Sequence, residues 1–178
     1  MRFFPGATAQ RAASAVAVSA TLLMVGCANA SPGVAAYVGD DQITQQQVET
    51  AVAAVTTTVQ EGQTVSQEAI VNALIQGKLA EQIAADQRIA ITDAQRDTFL
   101  QTTNLAPLLS VAGAKPIAYD VADQQLVAQK MGPEPFLAEV EKREVTLNPR
   151  YGVLDPKQKI VATDQSGSLS RPAATPAP

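Results

Sequence analysis

The chain has 178 residues, with no histidine and a single cysteine. Without histidine, histidine-based catalysis and the commonest metal ligand are excluded, and one cysteine cannot form an internal disulfide, so stability must come from a packed core. The 17 acidic residues outnumber the 13 basic ones, and this net charge of −4 disfavours nucleic acid or an anionic membrane surface as the main partner. The length favours one domain.

The N-terminal segment has the layout of a secretion signal. Residues 1–11 contain two arginines and no acid, and residues 12–25 are all apolar or small. This apolar run is shorter than the ~18 residues expected of a spanning helix, so we do not expect a permanent membrane helix. We predict a signal peptide over residues 1–26. Its removal takes away both arginines and changes the net charge from −4 to −6.

The lone cysteine closes this segment. The sequence Leu23-Met24-Val25-Gly26-Cys27 resembles the lipobox of bacterial lipoproteins, in which cleavage precedes the cysteine and the thiol receives a diacylglyceryl group. Such a lipid would anchor the chain to the cell membrane on its extracytoplasmic side. The alternative is an ordinary secretory signal cut after Ala28 or Ala30. Lipidation is favoured because it consumes a thiol that would otherwise be exported unpaired to an oxidising compartment.

The first elements of the fold follow a predicted tether, residues 27–32. Residues 33–38 are typical of a strand, which the turn signal Gly39-Asp40-Asp41 closes. The pair Gln42-Ile43 fits the returning arm of a tight hairpin. Thr44 is a good N-cap for a helix over residues 45–59, because its hydroxyl can accept from a free amide of the first turn and the apolar residues behind it repeat at helical spacing.

The rest of the periodicity predicts four more helices and a second strand. The helices are expected over residues 66–88, from Thr92 onward, over 117–131 and over 136–142, and the strand over 144–147. Pro116 suits the first turn of the fourth helix, and residues 133–135 start the fifth. Gly77 is the weak point of the longest helix, at about 1 kcal/mol relative to alanine. A short helical turn and a loop are expected over 104–116. The predicted domain, residues 33–155, is mainly α with a small two-stranded antiparallel sheet, and residues 156–178 form a flexible tail rich in Pro, Ala and Ser.

Two blocks of sequence carry a family resemblance. Residues 34–44 are similar to the strand, turn and helix entry that open the N-terminal domain of SurA-type periplasmic chaperones and of the foldase PrsA. Residues 73–79 and 89–95 resemble the long helix, short link and helix cap of the same family. The resemblance covers about residues 34–102. It implies that the opening strand pairs with a strand that follows the last helix, and residues 145–147 could form that strand. Residues 148–152 also resemble a terminal segment of related actinobacterial lipoproteins.

The chain also departs from that family. SurA and PrsA carry a parvulin prolyl-isomerase domain whose active site relies on paired histidines, and this chain has no histidine. Prolyl isomerase activity is therefore not expected. What the resemblance implies is extracytoplasmic handling of unfolded or partly folded clients, or a scaffold derived from such a chaperone.

Several polar groups are candidates for a metal-binding or catalytic site. Asp40 and Asp41 suit a hairpin turn better than a calcium site, and Glu139, Glu141 and Glu144 suit a solvated helix end. Glycine-rich phosphate loops and a nucleophile elbow do not occur in the sequence, and Lys78 and Lys130 have no serine at a spacing suited to a dyad. Tyr151 is expected to pack on the helices, with Arg150 paired to a surface acid. We therefore predict no enzyme activity, no cofactor and no metal.

The function predicted from the sequence is that of a lipid-anchored, chaperone-like protein that binds unfolded or partly folded exported clients. Val127, Met131, Phe136 and Leu137 are candidates for an apolar client-binding groove, although ordinary core positions explain them better. The alternative is a structural or regulatory envelope lipoprotein that docks onto one folded partner. A histidine-free enzyme would require a deep pocket that holds a lysine or a carboxyl group with a shifted pKa.

Overall fold

A computed structural model describes residues 33–59 and 64–162. This part of the chain is mainly helical, with five α-helices and two small antiparallel sheets, as predicted for the fold class. The helices are α1 Gln45–Thr56, α2 Gln67–Gln87, α3 Asp93–Gln101, α4 Lys115–Met131 and α5 Pro133–Lys142, and the strands are β1 Val34–Val38, β2 Asp41–Thr44, β3 Val145–Leu147, β4 Val153–Leu154 and β5 Val161–Ala162.

Three predictions concern residues that the structure does not describe. The signal peptide over residues 1–26, the lipidation site Cys27 with the tether 27–32, and the greater part of the tail, residues 163–178, all lie outside the described residues. Within residues 33–59 and 64–162, none of the helices combines the length and the apolar character that crossing a membrane requires.

The larger sheet joins the two ends of the domain. Its central strand β1 pairs antiparallel with β3, with Ala36 opposite Leu147 and Val38 opposite Val145, so the predicted pairing of the opening and returning strands is confirmed. The hairpin arm β2 adds a third strand on the other edge of β1. Gly39 has a φ of +55° in the tight turn between β1 and β2, a conformation that glycine adopts without strain.

Local capping explains where three helices begin. Thr44 and Thr92 each accept a hydrogen bond from a backbone amide three residues on. The side-chain oxygens of the glutamines at those positions, Gln47 and Gln95, accept one from the backbone amide of the cap, which completes two capping boxes. The Ser66 hydroxyl accepts from the Ala69 amide at the start of α2. All three predicted helix starts are confirmed.

Helix α2 is the centre of the core. It packs against α1, α4, α5 and β1. Its side chains Val71, Ile75, Leu79 and Ile83 are fully buried, and each such burial contributes about 1.5–3 kcal/mol. A second, smaller cluster centred on Leu100 joins α3 to the first half of α4 and to a 3₁₀ helix, Ala106–Ser110, in the segment predicted as a turn and loop.

Prolines begin two helices, and threonines end one earlier than predicted. Helix α4 starts at Lys115 and α5 at Pro133, with a proline in each first turn as predicted, because a proline there lacks only an amide that would be unpaired anyway. Helix α1 ends at Thr56 instead of residue 59. The next threonine hydroxyls, of Thr57 and Thr58, donate to helix carbonyls at 2.7 Å and close the last turn.

A hairpin of β4 and β5 was not predicted, and the predicted domain end at Asp155 falls inside it. In its turn, the Asp155 carboxylate accepts from the amides of Gln158 at 2.6 Å and Lys157 at 2.9 Å, and these bonds lower the pKa of Asp155. The hairpin rests on Gln76 of α2, which is only 4% exposed and donates to the carbonyls of Gln158 and Lys159. Residues 156–162 therefore belong to the folded domain and not to the tail.

Candidate functional site

A half-open cavity of about 460 Å³ lies between α1, α2 and α4. One side is formed by the end of β2 and the first half of α1, another by the middle of α2, and the third by the start of α4 with the loop before it. Its lining residues are Ile43, Thr44, Gln46, Gln47, Thr50, Ala51, Leu74, Lys78, Gly113, Pro116, Ile117 and Asp120. We call this space the interhelical cavity.

Two glycines set how closely α4 and its leading loop approach the other helices. A Cβ atom added to Gly77 of α2 would lie 2.3 Å from the Cβ atom of Asp120, far inside van der Waals contact. A Cβ atom added to Gly113 would lie 3.1 Å from that of Ala54 on α1. Gly77, which the sequence marked only as a weak point of the helix, is therefore required for the α2–α4 contact, and this contact holds Asp120 at the cavity wall.

The walls divide into apolar and polar parts. Ile43 and Ile117, at 2% and 4% exposure, extend the core to the cavity surface together with Leu74. On the α1 side the lining is mostly amide and hydroxyl groups, beside the buried Ala51. Gln46 and Thr50 have no side-chain hydrogen bond to any described residue, so both can bond to an incoming molecule. The cavity thus combines an apolar surface with free, uncharged hydrogen-bonding groups.

Asp120 is the most perturbed titratable group of the site. Burial raises its pKa from 3.8 to about 7, because leaving water disfavours the ionised carboxylate. The positive charge of Lys78 opposes this increase, and the negative charges of Asp123 and Glu81 add to it. Among the described residues, no side chain or amide donates a hydrogen bond to Asp120. Its carboxyl group is therefore partly buried and, among the described residues, has no hydrogen-bond partner.

Lys78 borders the same cavity, but its ammonium group pairs with Glu81 and not with Asp120. Its Nζ atom lies 2.6 Å from Oε2 of Glu81, and this hydrogen bond is the main reason that the pKa of Lys78 is raised. The Lys78 side chain is 34% exposed and that of Glu81 is 64% exposed, so the pair is solvated and contributes at most about 1 kcal/mol. Lys78 therefore lies at the solvated rim, and Asp120 lies deeper.

The interhelical cavity holds two of the groups that a histidine-free enzyme would use. A lysine and a carboxyl group with a shifted pKa are the features that a histidine-free enzyme would require, and both border the interhelical cavity. Nucleophilic catalysis also requires a nucleophile within hydrogen-bond reach of its base. Within residues 33–59 and 64–162, no hydroxyl or amine forms a hydrogen bond with Asp120.

The predicted client-binding residues do not line the interhelical cavity. Val127 and Phe136, at 0% and 4% exposure, are core residues, the interpretation that the sequence favoured for them. Met131 is partly buried against the same core, and Leu137 is 48% exposed on α5. The structure does not bring these four side chains together into one groove, and a role of Met131 or Leu137 in client binding stays a prediction.

The other groups singled out in the sequence have structural roles. Asp41 accepts a hydrogen bond from Gln82 at 2.9 Å, and Glu139 pairs with Lys142 at 2.6 Å. Tyr151 is 4% exposed, as expected. The expected pairing of Arg150 with a surface acid was wrong for the described residues: its guanidinium group lies over the Tyr151 ring, 5.5 Å from the centroid, where a cation–π contact forms.

The sequence did not reveal Asp120 as a site residue. No local sequence pattern distinguishes an acid that packs against a neighbouring helix from an acid that faces solvent. A signal was nevertheless present in Gly77, since glycine inside an otherwise strong helix often marks a close approach of another element. Pairing that glycine with residue 120 requires the crossing of α2 and α4, which only the tertiary structure supplies.

No protein-family model, curated protein or solved structure matches this chain.

Proposed function

We propose that this protein is a lipid-anchored, extracytoplasmic, chaperone-like protein that binds unfolded or partly folded exported clients, without prolyl isomerase activity. The observation that carries the proposal is the half-open interhelical cavity, whose surface is apolar on one side and lined by amides and hydroxyls on the other. The SurA-like order of the sequence elements gives it further support.

The two kinds of wall suit an extended polypeptide segment. The apolar surface of Ile43, Leu74 and Ile117 can take up a hydrophobic side chain, which gains about 25 cal/mol for each Å² removed from water. The free groups of Gln46 and Thr50 can bond to the peptide backbone, which every client has. Such contacts favour weak binding of many sequences, as a chaperone requires.

Aggregation assays test the proposal. The chain from residue 27 onward, with Cys27→Ser to prevent lipidation, should suppress the aggregation of an unfolded exported protein at stoichiometric ratio. Thr50→Trp should abolish this effect by filling the cavity, whereas Ala53→Trp, an equally large change at an exposed position of α1 outside the cavity, should preserve it. No suppression by the parent chain, with no peptide bound in calorimetry, would contradict the proposal.

The anchor needs its own test, because it rests on sequence alone. In cells fed a palmitate analogue, the parent protein should carry the label and the Cys27→Ser variant should not. Label that persists after the substitution would exclude Cys27 as the lipidation site.

A docking lipoprotein with one folded partner is the alternative function, and cross-linking in intact cells separates the two. A photo-reactive residue at Gln46, exposed at the cavity rim, should give many adducts of different sizes if the protein is a chaperone. One dominant adduct would instead indicate a single docking partner.

A further inference from the structure

We infer that the interhelical cavity takes a cationic side chain, a lysine or arginine of the bound segment, with the Asp120 carboxylate as its counter-ion. The inference deepens the proposed function and rests on it for the source of the cation. It starts from an unpaired carboxyl group at the wall of an open cavity, which a cation of suitable length would complement.

The position of Asp120 is fixed by packing. Its Cβ atom lies directly against the backbone of Gly77, so the side chain starts from a fixed point at the α2–α4 contact. The adjacent lining is apolar, with Leu74 on α2 and Ile117 one turn earlier on α4. The side chains of lysine and arginine consist of a methylene stem with a charged end. The apolar wall can contact the stem, and the carboxylate can pair with the charged end.

The charges around Asp120 leave the counter-ion position open. On α2, Lys78 is hydrogen-bonded to Glu81, and the nearest basic group of α3, Arg96, binds Asp123 of α4 at 2.7 Å. On α1, no residue that lines the cavity carries a charge. Each nearby cation of the described residues therefore has an acidic partner, and Asp120 has none.

The same charges predict how binding depends on pH. Because burial raises the pKa of Asp120 to about 7, the carboxyl group is mostly neutral at pH 6 and mostly ionised at pH 8. A cation binds the ionised form, so binding releases a proton and becomes tighter as the pH rises. With this pKa, the ionised fraction and the affinity should both increase about tenfold from pH 6 to pH 8.

A pair of small probes tests the inference directly. We use n-hexylammonium and n-hexanol, which differ in charge and share the alkyl stem, with the chain from residue 27 onward as Cys27→Ser. Methyl NMR shifts of Leu74 and Ile117 report on binding. We expect the ammonium probe to bind more tightly at pH 8 than at pH 6, and hexanol to show no such dependence.

Variants identify the group responsible. Asp120→Asn should weaken binding of the ammonium probe at pH 8 about tenfold or more, the usual effect of losing a charge-assisted contact, and should leave hexanol binding unchanged. Glu141→Gln, which removes an exposed acid of α5, is the control and should change neither. Equal binding of the two probes, or binding of the ammonium probe that survives Asp120→Asn, would overturn the inference.

Peptides separate this inference from the proposed function. Two unfolded peptides that differ only in lysine against norleucine should differ about tenfold in affinity at pH 8. If both bind equally well and aggregation is suppressed, the cationic preference is refuted and the chaperone proposal survives. If the ammonium probe binds through Asp120 but neither peptide binds, the cation site stands and client binding is refuted.

Discussion

Replacing Asp120 by asparagine removes a charge that folding has to desolvate, and the structure predicts that the protein becomes more stable. The pKa of Asp120 is raised from 3.8 to about 7, mainly by burial. An acid with a raised pKa binds its proton more tightly in the folded state than in the unfolded state. Its favourable contribution to the free energy of unfolding is therefore fully present below pH 3.8 and is lost as the pH rises through about 7.

The size of the effect follows from that difference in pKa. About three pH units between the unfolded and folded values correspond to about 4 kcal/mol, at 1.36 kcal/mol for each unit. The asparagine amide is neutral at every pH and nearly isosteric. We therefore expect Asp120→Asn to be almost neutral at pH 4 and to stabilise the domain by up to about 4 kcal/mol at pH 8, a large share of the 5–15 kcal/mol typical of a domain.

Urea unfolding followed by far-UV circular dichroism measures this difference. Free energies of unfolding at half-unit steps from pH 4 to pH 8, for the parent chain and Asp120→Asn, should diverge progressively between about pH 4 and pH 7. Glu141→Gln, at an exposed position, should run parallel to the parent chain. If Asp120→Asn destabilises the protein at pH 8, or if its effect is the same at pH 5 and pH 8, the carboxyl group is not desolvated as described.

Three substitutions test the packing and the caps, by urea unfolding at pH 7. Gly77→Ala should destabilise the domain by about 1–3 kcal/mol despite the better helix propensity of alanine, because its Cβ atom would lie 2.3 Å from that of Asp120; stabilisation by about 1 kcal/mol would refute the close contact. Thr92→Ala should cost about 1 kcal/mol through loss of the N-cap, whereas Thr98→Ala inside α3 should cost nothing; equal effects would rule out the cap. Gln76→Leu should cost about 1–3 kcal/mol, because two hairpin carbonyls lose their donor, and amide exchange should rise at Val161; unchanged exchange would show that Gln76 does not hold the hairpin on α2.

Elements with a local cause were predictable from the sequence. Thr44 and Thr92 start their helices because the hydroxyl and the glutamine three residues on satisfy amides of the same turn. The apolar repeat of α2, with Val71, Ile75 and Leu79 at a spacing of four, predicts a helix with one buried face.

Elements that depend on distant partners were not predictable. The hairpin of β4 and β5 has only two residues in each strand, too few for a period-two pattern to be detected, and it rests on Gln76 of α2, more than eighty residues away in the chain. Its turn residues, Asp155 to Gln158, resemble the start of a loop because their hydrogen bonds stay within the turn.

A mainly helical domain, its three capped helix starts and the pairing of β1 with β3 were predictable from the sequence alone. Capping and periodicity act over a few residues, and the strand pairing was available from the family resemblance. The contact role of Gly77 and the partial burial of Asp120 beside an open cavity became visible only in the folded protein. Both properties arise where α2 crosses α4, since the absence of one side chain allows the approach and the approach removes much of the water around the carboxyl group.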